Sequence, residues 1–366
     1  MKFSVVVAFD NEYELMTNFV ENLILTTDFS EGELVLVADG CRDRDALSYL
    51  HEKAKQFKHI KLIKLEQRNG YSKANNIGVH NSCGEILVFL NSDVFPTHNS
   101  VNALVRHIQD CTKIGATQGK LIYPQNGLVQ STGHLFFGYK NAHVYTGCES
   151  EDPLVQQSGT RQALTTAFCA MPQSIFWEMG GFDEIYYNAY EGMELTLKVS
   201  HSGRDCSYFA NAVAFHAVGG SRSNLNFDDS LPGHIFWNRW KKSIHTDIQT
   251  YLTPQITSKM QENTYFLIQG SSIPGWQEII HGVGLQSVGE VELQTRFSTR
   301  IDLYRSLPYA ALLHPQPYLF VVDELSRIQA NQNWARVRNN PRDLVIDAHG
   351  LVRTLNTVTH AVSHET

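Results

Sequence analysis

The 366-residue chain is short of the features that mark several large functional classes. No apolar stretch approaches the roughly 20 residues that span a bilayer. The segment after Met1, residues 2–8, is too short and wrongly built for a signal peptide. A cytoplasmic protein is therefore expected, with peripheral contact at the inner face of the membrane left open for a lipid-borne substrate. Basic runs are absent too, and a formal charge of -7 with a pI near 6.1 gives no electrostatic footprint for nucleic acid or for an acidic membrane patch. The six cysteines are scattered, with no two spaced as a zinc knuckle or redox pair, so free thiols in a reducing compartment are expected. Neither a phosphate-loop lysine motif nor a Gly-x-Gly-x-x-Gly after the first strand is present, which removes the two commonest nucleotide-binding loops.

What is present is an alternation of strands and helices. The apolar run 86–90, rich in branched and aromatic residues, suits a strand buried on both faces, and Asn91, Ser92 and Asp93 follow at its carboxyl end. Ahead of it come strands at 3–8, 34–38 and 60–65. Helices follow them, with apolar stripes at Leu15, Phe19, Leu23 and Ile24, at Ala46, Leu47, Leu50 and Ala54, and at Ala74 and Ile77. Such alternation predicts an α/β fold with a mostly parallel sheet flanked by helices, and places ligands at the carboxyl ends of the strands. A turn of Asn, Ser and Asp is an equally ordinary reading of residues 91–93 alone. Further on, 101–108 reads as helix and 115–122 as strand, while 123–159 is Gly-, Asn- and Ser-rich with little periodicity. A helix at 191–200, a strand at 213–215 closed by His216, and an aromatic and basic helix at 234–248 complete a first domain, 1–257. Residues 258–366 read as a second, smaller α/β domain of unnamed role. Its strands are expected at 265–269, 288–293, 318–322 and 344–346, its helices at 276–281 and 326–337, and a polar, frayed tail at 357–366.

Several ordered motifs in residues 1–222 resemble those of the family 2 glycosyltransferases of the GT-A fold, in particular bacterial rhamnosyl- and galactofuranosyltransferase-like members. They are Ser4-Val5-Val6-Val7 with Asn11, Asp39-Gly40 with Asp43, and Gly70-Tyr71-Ser72-Lys73-Ala74-Asn75-Asn76-Ile77-Gly78. Leu90-Asn91-Ser92-Asp93, Gly180-Gly181-Phe182-Asp183-Glu184, Glu191 with Glu194, and His216 through Gly219-Gly220-Ser221-Arg222 follow. The resemblance implies a metal-dependent, inverting transferase that moves a sugar from a nucleotide diphosphate donor to a saccharide or lipid-linked glycan, in bacterial surface polysaccharide synthesis. It implies a divalent cation, manganese or magnesium, on Asp93 and His216, with Asn91 and Ser92 beside it and Arg222 reaching the diphosphate. It further implies that Phe9, Asn11, Glu12 and Asp39 hold base and ribose, that Lys73 adds positive charge near the nucleotide, and that Thr166, after Thr165, narrows the donor-sugar pocket. Ala38 stands where the family usually has an acid, so uridine and thymidine diphosphate sugars are both open.

The sharpest departure lies at the catalytic base. The family's Glu-Asp pair reads Glu191-Gly192 here, so the usual aspartate is missing. Glu191, one methylene longer than an aspartate, is the expected substitute, with Glu194 three residues on as the other candidate. Two rival readings follow: a sugar-1-phosphate nucleotidyltransferase, which should carry a basic Gly-rich loop that residues 8–12 lack, and a module that binds nucleotide sugar without turnover.

Overall fold

A computed structural model describes residues 1–10, 13–137, 140–217, 230–247, 250–251 and 254, and then 264–269, 286–287, 318–321, 343–346 and 352–354. Asn11, Glu12 and Arg222 lie outside the described residues, as do the expected strand at 288–293, the helices at 276–281 and 326–337, and the tail. The chain divides into two compact units, Met1–Leu135 with Thr146–Ile244, and Phe136–Tyr145 with His245–Thr366.

In order, the elements are β1 (Phe3–Phe9), α1 (Tyr13–Thr26), β2 (Gly32–Asp39), α2 (Arg44–Gln56), β3 (Ile60–Leu65), α3 (Tyr71–His80), β4 (Ile86–Leu90), β5 (Val94–Pro96), α4 (Ser100–Asp110) and β6 (Ile114–Ile122). They continue with β7 (Val129–Ser131), β8 (His134–Phe137), β9 (Lys140–His143), β10 (Gly159–Arg161), β11 (Phe168–Pro172), α5 (Gln173–Glu178), α6 (Glu191–His201), β12 (Asp205–His216) and α7 (Ser230–Trp240). The ten-stranded sheet of the first unit runs β10-β12-β6-β11-β4-β1-β2-β3, with β5 on β12 and β7 on β6. Strands β3, β2, β1 and β4 are parallel neighbours, β6 and β12 are parallel, and β11 lies antiparallel between β4 and β6. This is the mixed, mostly parallel α/β architecture expected from the sequence. The order reverses at β1, which lies between β4 and β2, and such a switch point opens a crevice at the strands' carboxyl ends.

Alternation along the strands explains why two helix layers are needed. Val5, Val7, Leu34 and Leu36 face one core with Met16 and Phe19 of α1, Leu50 of α2 and Leu104 of α4. Val6, Val35 and Val37 face the other with Val79 of α3, Phe176 of α5 and Leu195 and Val199 of α6. Both β2 and β4 are buried along their whole length, as a strand covered on both faces must be. Asp43 sets the helix starts: its Oδ1 accepts from the Asp45 and Ala46 amides at 3.0 Å and its Oδ2 from the Tyr13 amide at 3.1 Å.

The structure departs from the sequence reading in the second half of this unit. The strand expected at 213–215 is a twelve-residue β12, because register shifts at Asp205/Cys206 and Phe209/Val213 break its period of two. The stretch 123–159 holds the short strands β7, β8 and β9, each of three or four residues, too brief for a periodicity to show. The helix expected at 234–248 is α7, which starts at Ser230 and ends at Trp240. All six cysteines are free. Among the described residues no helix is long and apolar enough to cross a membrane.

In the second unit, β13 (Thr264–Gln269), β14 (Gln286–Ser287), β15 (Tyr318–Val321), β16 (Leu344–Ile346) and β17 (Val352–Thr354) form a sheet in the order β14-β13-β15-β16-β17. It is parallel apart from β17. Strand signals expected at 265–269, 318–322 and 344–346 coincide with β13, β15 and β16.

One buried carboxylate seals the amino-terminal edge of the first sheet. Glu33, 0% exposed, accepts from Ser4 Oγ at 2.7 Å and from the Cys83 amide, and pairs with Lys61 at 2.7 Å. Burial works against its charge, yet the Lys61, Cys83 and Ser4 donors hold its pKa below the ordinary glutamate value. A depressed folded-state pKa stabilises above the unfolded value and is lost as pH falls through the folded one. Glu33→Gln should therefore cost about 2 kcal/mol at pH 7. In denaturant titrations the gap to the parent should shrink below about pH 4.3, the ordinary glutamate value.

Candidate active site

A pocket opens at the carboxyl ends of β1, β2 and β4. Ala8 and Phe9 come from β1 and Asp10 follows it, Asp39 ends β2, and Asn91 and Ser92 follow β4; Arg68 and Gly70 enter from the β3–α3 connection, Tyr71 from the start of α3, and Tyr187 and Asn188 from the loop before α6. Asp39 organises the connection. Its Oδ1 accepts from the Asn69 amide at 2.7 Å and side chain at 3.1 Å, and its Oδ2 from the Gly70 amide at 2.8 Å. Gly70, at φ +88°, brings the backbone so close to Tyr187 that a Cβ there would stand 2.5 Å from the Tyr187 carbonyl oxygen. The Tyr71 amide donates to that carbonyl at 2.8 Å, Ser72 Oγ to the Tyr186 carbonyl at 2.5 Å, and Asn76 pairs with Phe182 in both directions at 2.9 and 3.0 Å. Thus the motif that opens α3 clasps the Gly-Gly-Phe-Asp-Glu turn. Arg68 pairs with Asp10 at 2.7 Å beside the pocket. Lys73 is exposed and is not among the wall residues.

Asp93, 2% exposed, is not among the wall residues and faces His216. The antiparallel pairing of β5 with β12 puts His216 opposite Val94, and the Ala217 amide donates to the Asp93 carbonyl at 3.0 Å. His216 Nε2 then stands 3.2 Å from Asp93 Oδ1, and His216 Nδ1 2.7 Å from Gln130 Oε1. An amide oxygen only accepts, so Nδ1 donates to it and Nε2 faces a carboxylate oxygen. That Oδ1 is buried and makes no hydrogen bond. A ring nitrogen and a carboxylate oxygen this close share a cation, a proton or a metal ion, and an imidazole with a carboxylate suits a divalent ion. Among the described residues no third His, Cys, Asp or Glu joins the pair.

Glu191 and Glu194 open α6 but meet different surroundings. Glu194, 3% exposed, receives Tyr186 Oη and Arg239 Nη1, the latter at 3.1 Å, and pairs with Lys198 at 3.3 Å. Glu191 is buried on the Tyr71 side. Desolvation, then the charges of Glu191 and Asp93, push the Tyr71 hydroxyl pKa up, while its hydrogen bond to Thr166 Oγ1, 3.3 Å, pulls the other way. The preceding Ala189 and Tyr190 hold φ of +76° and +70°. Such backbone costs about 1–3 kcal/mol per residue and gathers at functional sites.

Thr166 and Gly192 are locked together. A Cβ on Gly192 would stand 2.3 Å from Thr166 Oγ1 and 2.8 Å from its Cγ2. The threonine side chain thus occupies the room that a side chain at 192 would need. The structure therefore brings Phe9, Asp39, Asn91 and Ser92 to one pocket and joins Asp93 to His216. Sequence reasoning missed Arg68, Tyr71, Tyr187, Asn188 and Gln130. Of these only Arg68 and Tyr71 carried a signal, flanking the glycine that opens α3.

Residues 4–180 match the model described as glycosyl transferase family 2. Over 250 residues the chain is 25% identical to the O-antigen biosynthesis protein RfbC of Myxococcus xanthus, covering 64% of this chain and 18% of that protein. Over 195 residues it is 24% identical to N-acetylgalactosaminyltransferase 6 of Drosophila melanogaster, covering 50% and 28%. The chain thus spans less than a third of either relative. Its fold matches the crystal structure of GalNAc-T7 with UDP, GalNAc and Mn2+ at a TM-score of 0.55 and 17% identity, over 78% of this chain and 55% of that one. The ordered motifs, the sheet with its switch-point pocket and this match agree: residues 4–180 form a glycosyl transferase family 2 domain, and its fold is GT-A.

Proposed function

We propose that the chain transfers a sugar from a uridine or thymidine diphosphate sugar to a hydroxyl of a saccharide or lipid-linked glycan, inverting the anomeric carbon. The observation that carries this reading is the buried Asp93 Oδ1 facing His216 Nε2 at 3.2 Å, next to a pocket at the sheet's switch point. A divalent ion there, manganese before magnesium because of the imidazole, would neutralise the donor diphosphate and stabilise the departing nucleotide. Phe9 and Asp39 line the place for base and ribose, and Asn91 and Ser92 the place for the diphosphate. Asn11 and Glu12 join the first pair and Arg222 the second by family resemblance. The acceptor is a bacterial surface polysaccharide precursor, as the name of the RfbC relative suggests, made at the inner face of the membrane. Residues 1–257 form the transferase domain and 258–366 an α/β module that serves acceptor binding or assembly.

Glu191 is the general base. Glu194 already spends its carboxylate on Arg239, Lys198 and Tyr186, and the charge of Glu191 acts on the hydroxyl of the pocket residue Tyr71. Its carboxylate takes the proton from the acceptor hydroxyl as that oxygen attacks, and a single displacement of this kind inverts the centre.

In steady-state assays Glu191→Gln should lose about a hundredfold in kcat while keeping its donor affinity. The same pattern in Glu194→Gln would exchange the two roles. Its absence from both variants would favour a module that binds nucleotide sugar without turnover, the reading that Gly192 invites. By calorimetry, Asp93→Ala should abolish manganese-dependent binding of the nucleotide and His216→Ala should weaken it less, since a neutral ligand is lost rather than a charge. Unchanged binding in Asp93→Ala would remove the metal assignment.

The Thr166–Gly192 contact has its own test. Gly192→Asp, which restores the family's usual pair, should lower stability by about 1–3 kcal/mol through overpacking. Thr166→Gly in the same chain should recover most of that loss in denaturant titrations, a non-additivity that only direct contact produces.

A further inference from the structure

We propose that Arg239 is a positioning residue for the pocket wall: from α7, one guanidinium nitrogen ties together the two ends of the segment that carries Tyr187, Asn188 and Glu191. Arg239 Nη1 donates to Asp183 Oδ2 at 2.7 Å and to Glu194 Oε1 at 3.1 Å. Asp183 starts the segment and Glu194 ends it in the first turn of α6. Between them, Asp183 also accepts from the Ile185 amide at 3.0 Å through its side chain and from the Tyr186 amide at 3.1 Å through its carbonyl. Tyr186 is fully buried beneath the guanidinium, which lies 5.7 Å from its ring centre, and its hydroxyl donates to Glu194. The arginine therefore holds a closed loop of chain, with the head, the tail and a buried ring all fastened to one cation.

This loop needs fastening from outside. Ala189 and Tyr190 both sit in left-handed backbone, directly after the wall residues Tyr187 and Asn188 and directly before Glu191. Released, those two residues would relax toward ordinary φ and turn both the wall and the glutamate. Helix α7 meets the same place a second time. Phe236 lies 5.1 Å from the Tyr190 ring, and a Cβ on Gly233 would stand 3.1 Å from the Tyr190 hydroxyl. Arginine suits the task better than lysine, because Nη1 serves both carboxylates while the planar guanidinium also lies over the Tyr186 ring. The consequence for turnover rests on Glu191 being the base; the mechanical claim does not.

The test is amide hydrogen exchange on the whole chain, read at Ile185, Tyr186 and Glu194 against the amides of β1 and β4, with donor kinetics alongside. Arg239→Met should speed exchange in residues 183–194 by about tenfold or more and leave β1 and β4 as in the parent. Arg239→Lys should fall between. Lys198→Met, which removes a Glu194 partner that makes no hydrogen bond to Asp183, should change the segment little. In the same Arg239→Met protein kcat should drop and the donor KM rise, since base and wall loosen together. Unchanged exchange in 183–194 would overturn the proposal, as would Lys198→Met matching Arg239→Met. If Arg239→Met unfolds the chain, Asp183→Asn must loosen the segment with β1 and β4 intact, and its failure to do so is equally fatal. Faster exchange in a chain that shows no transfer even as the parent protein would uphold the clamp and sink the transferase reading alone.

Discussion

The Asp39 carboxylate is the contact on which the pocket depends. It sits at the carboxyl end of β2 and gathers three N–H donors from Asn69 and Gly70, which fixes the β3–α3 connection on the sheet edge. A carboxylate is the one side chain that can accept all three at once, and an amide would turn a donor toward one of them. With the connection fixed, Gly70 can lie against the Tyr187 carbonyl, and Tyr71, Ser72 and Asn76 hold the segment 182–187 in turn. The strand end thus dictates the loop, the loop dictates the helix start, and the helix start holds the far wall.

Around this frame the site separates rigid parts from strained ones. Asp93 stands in the turn just before β5, whose pairing with β12 brings His216 opposite Val94 and sets their 3.2 Å approach. Gln130 then sets which nitrogen of His216 is free, an orientation of the kind that second-sphere partners give to metal-binding histidines. Glu191 is held differently, at a helix start that follows two residues of left-handed backbone.

How much of this could be read in the sequence follows from what each residue's neighbours are. The strands β1 to β4 and the helices between them were legible because each lies in one buried layer with a clear period, and β3 and β4 match their expected bounds residue for residue. The antiparallel β11 and the bulged β12 were less so, since pairing direction leaves no mark on a short apolar run and a bulge erases the alternation. At the site, Asp39, Asp93 and His216 stood out through motif and position. Arg239, Gln130 and Tyr187 did not, because their roles come from partners 45 or more residues away, as the separations Arg239–Glu194, Gln130–His216 and Tyr71–Tyr187 illustrate.

The exchange between Thr166 and Gly192 shows why reading each position separately misleads. Taken alone, Gly192 is a missing carboxylate and Thr166 an added methyl and hydroxyl beside the donor. The structure makes them one event: the volume absent at 192 is filled from 166, across a gap too narrow for side chains on both. A core at native density tolerates volume-conserving swaps far better than single additions, so either substitution by itself would open a void or force a clash. Once Thr166 occupies that space, an aspartate cannot return to 192 without the threonine leaving. The same threonine brings its hydroxyl to the Tyr71 phenol, which lies under the charge of Glu191. The pair thus keeps the site closed between 166 and 192, while the first carboxylate of α6 stands at Glu191.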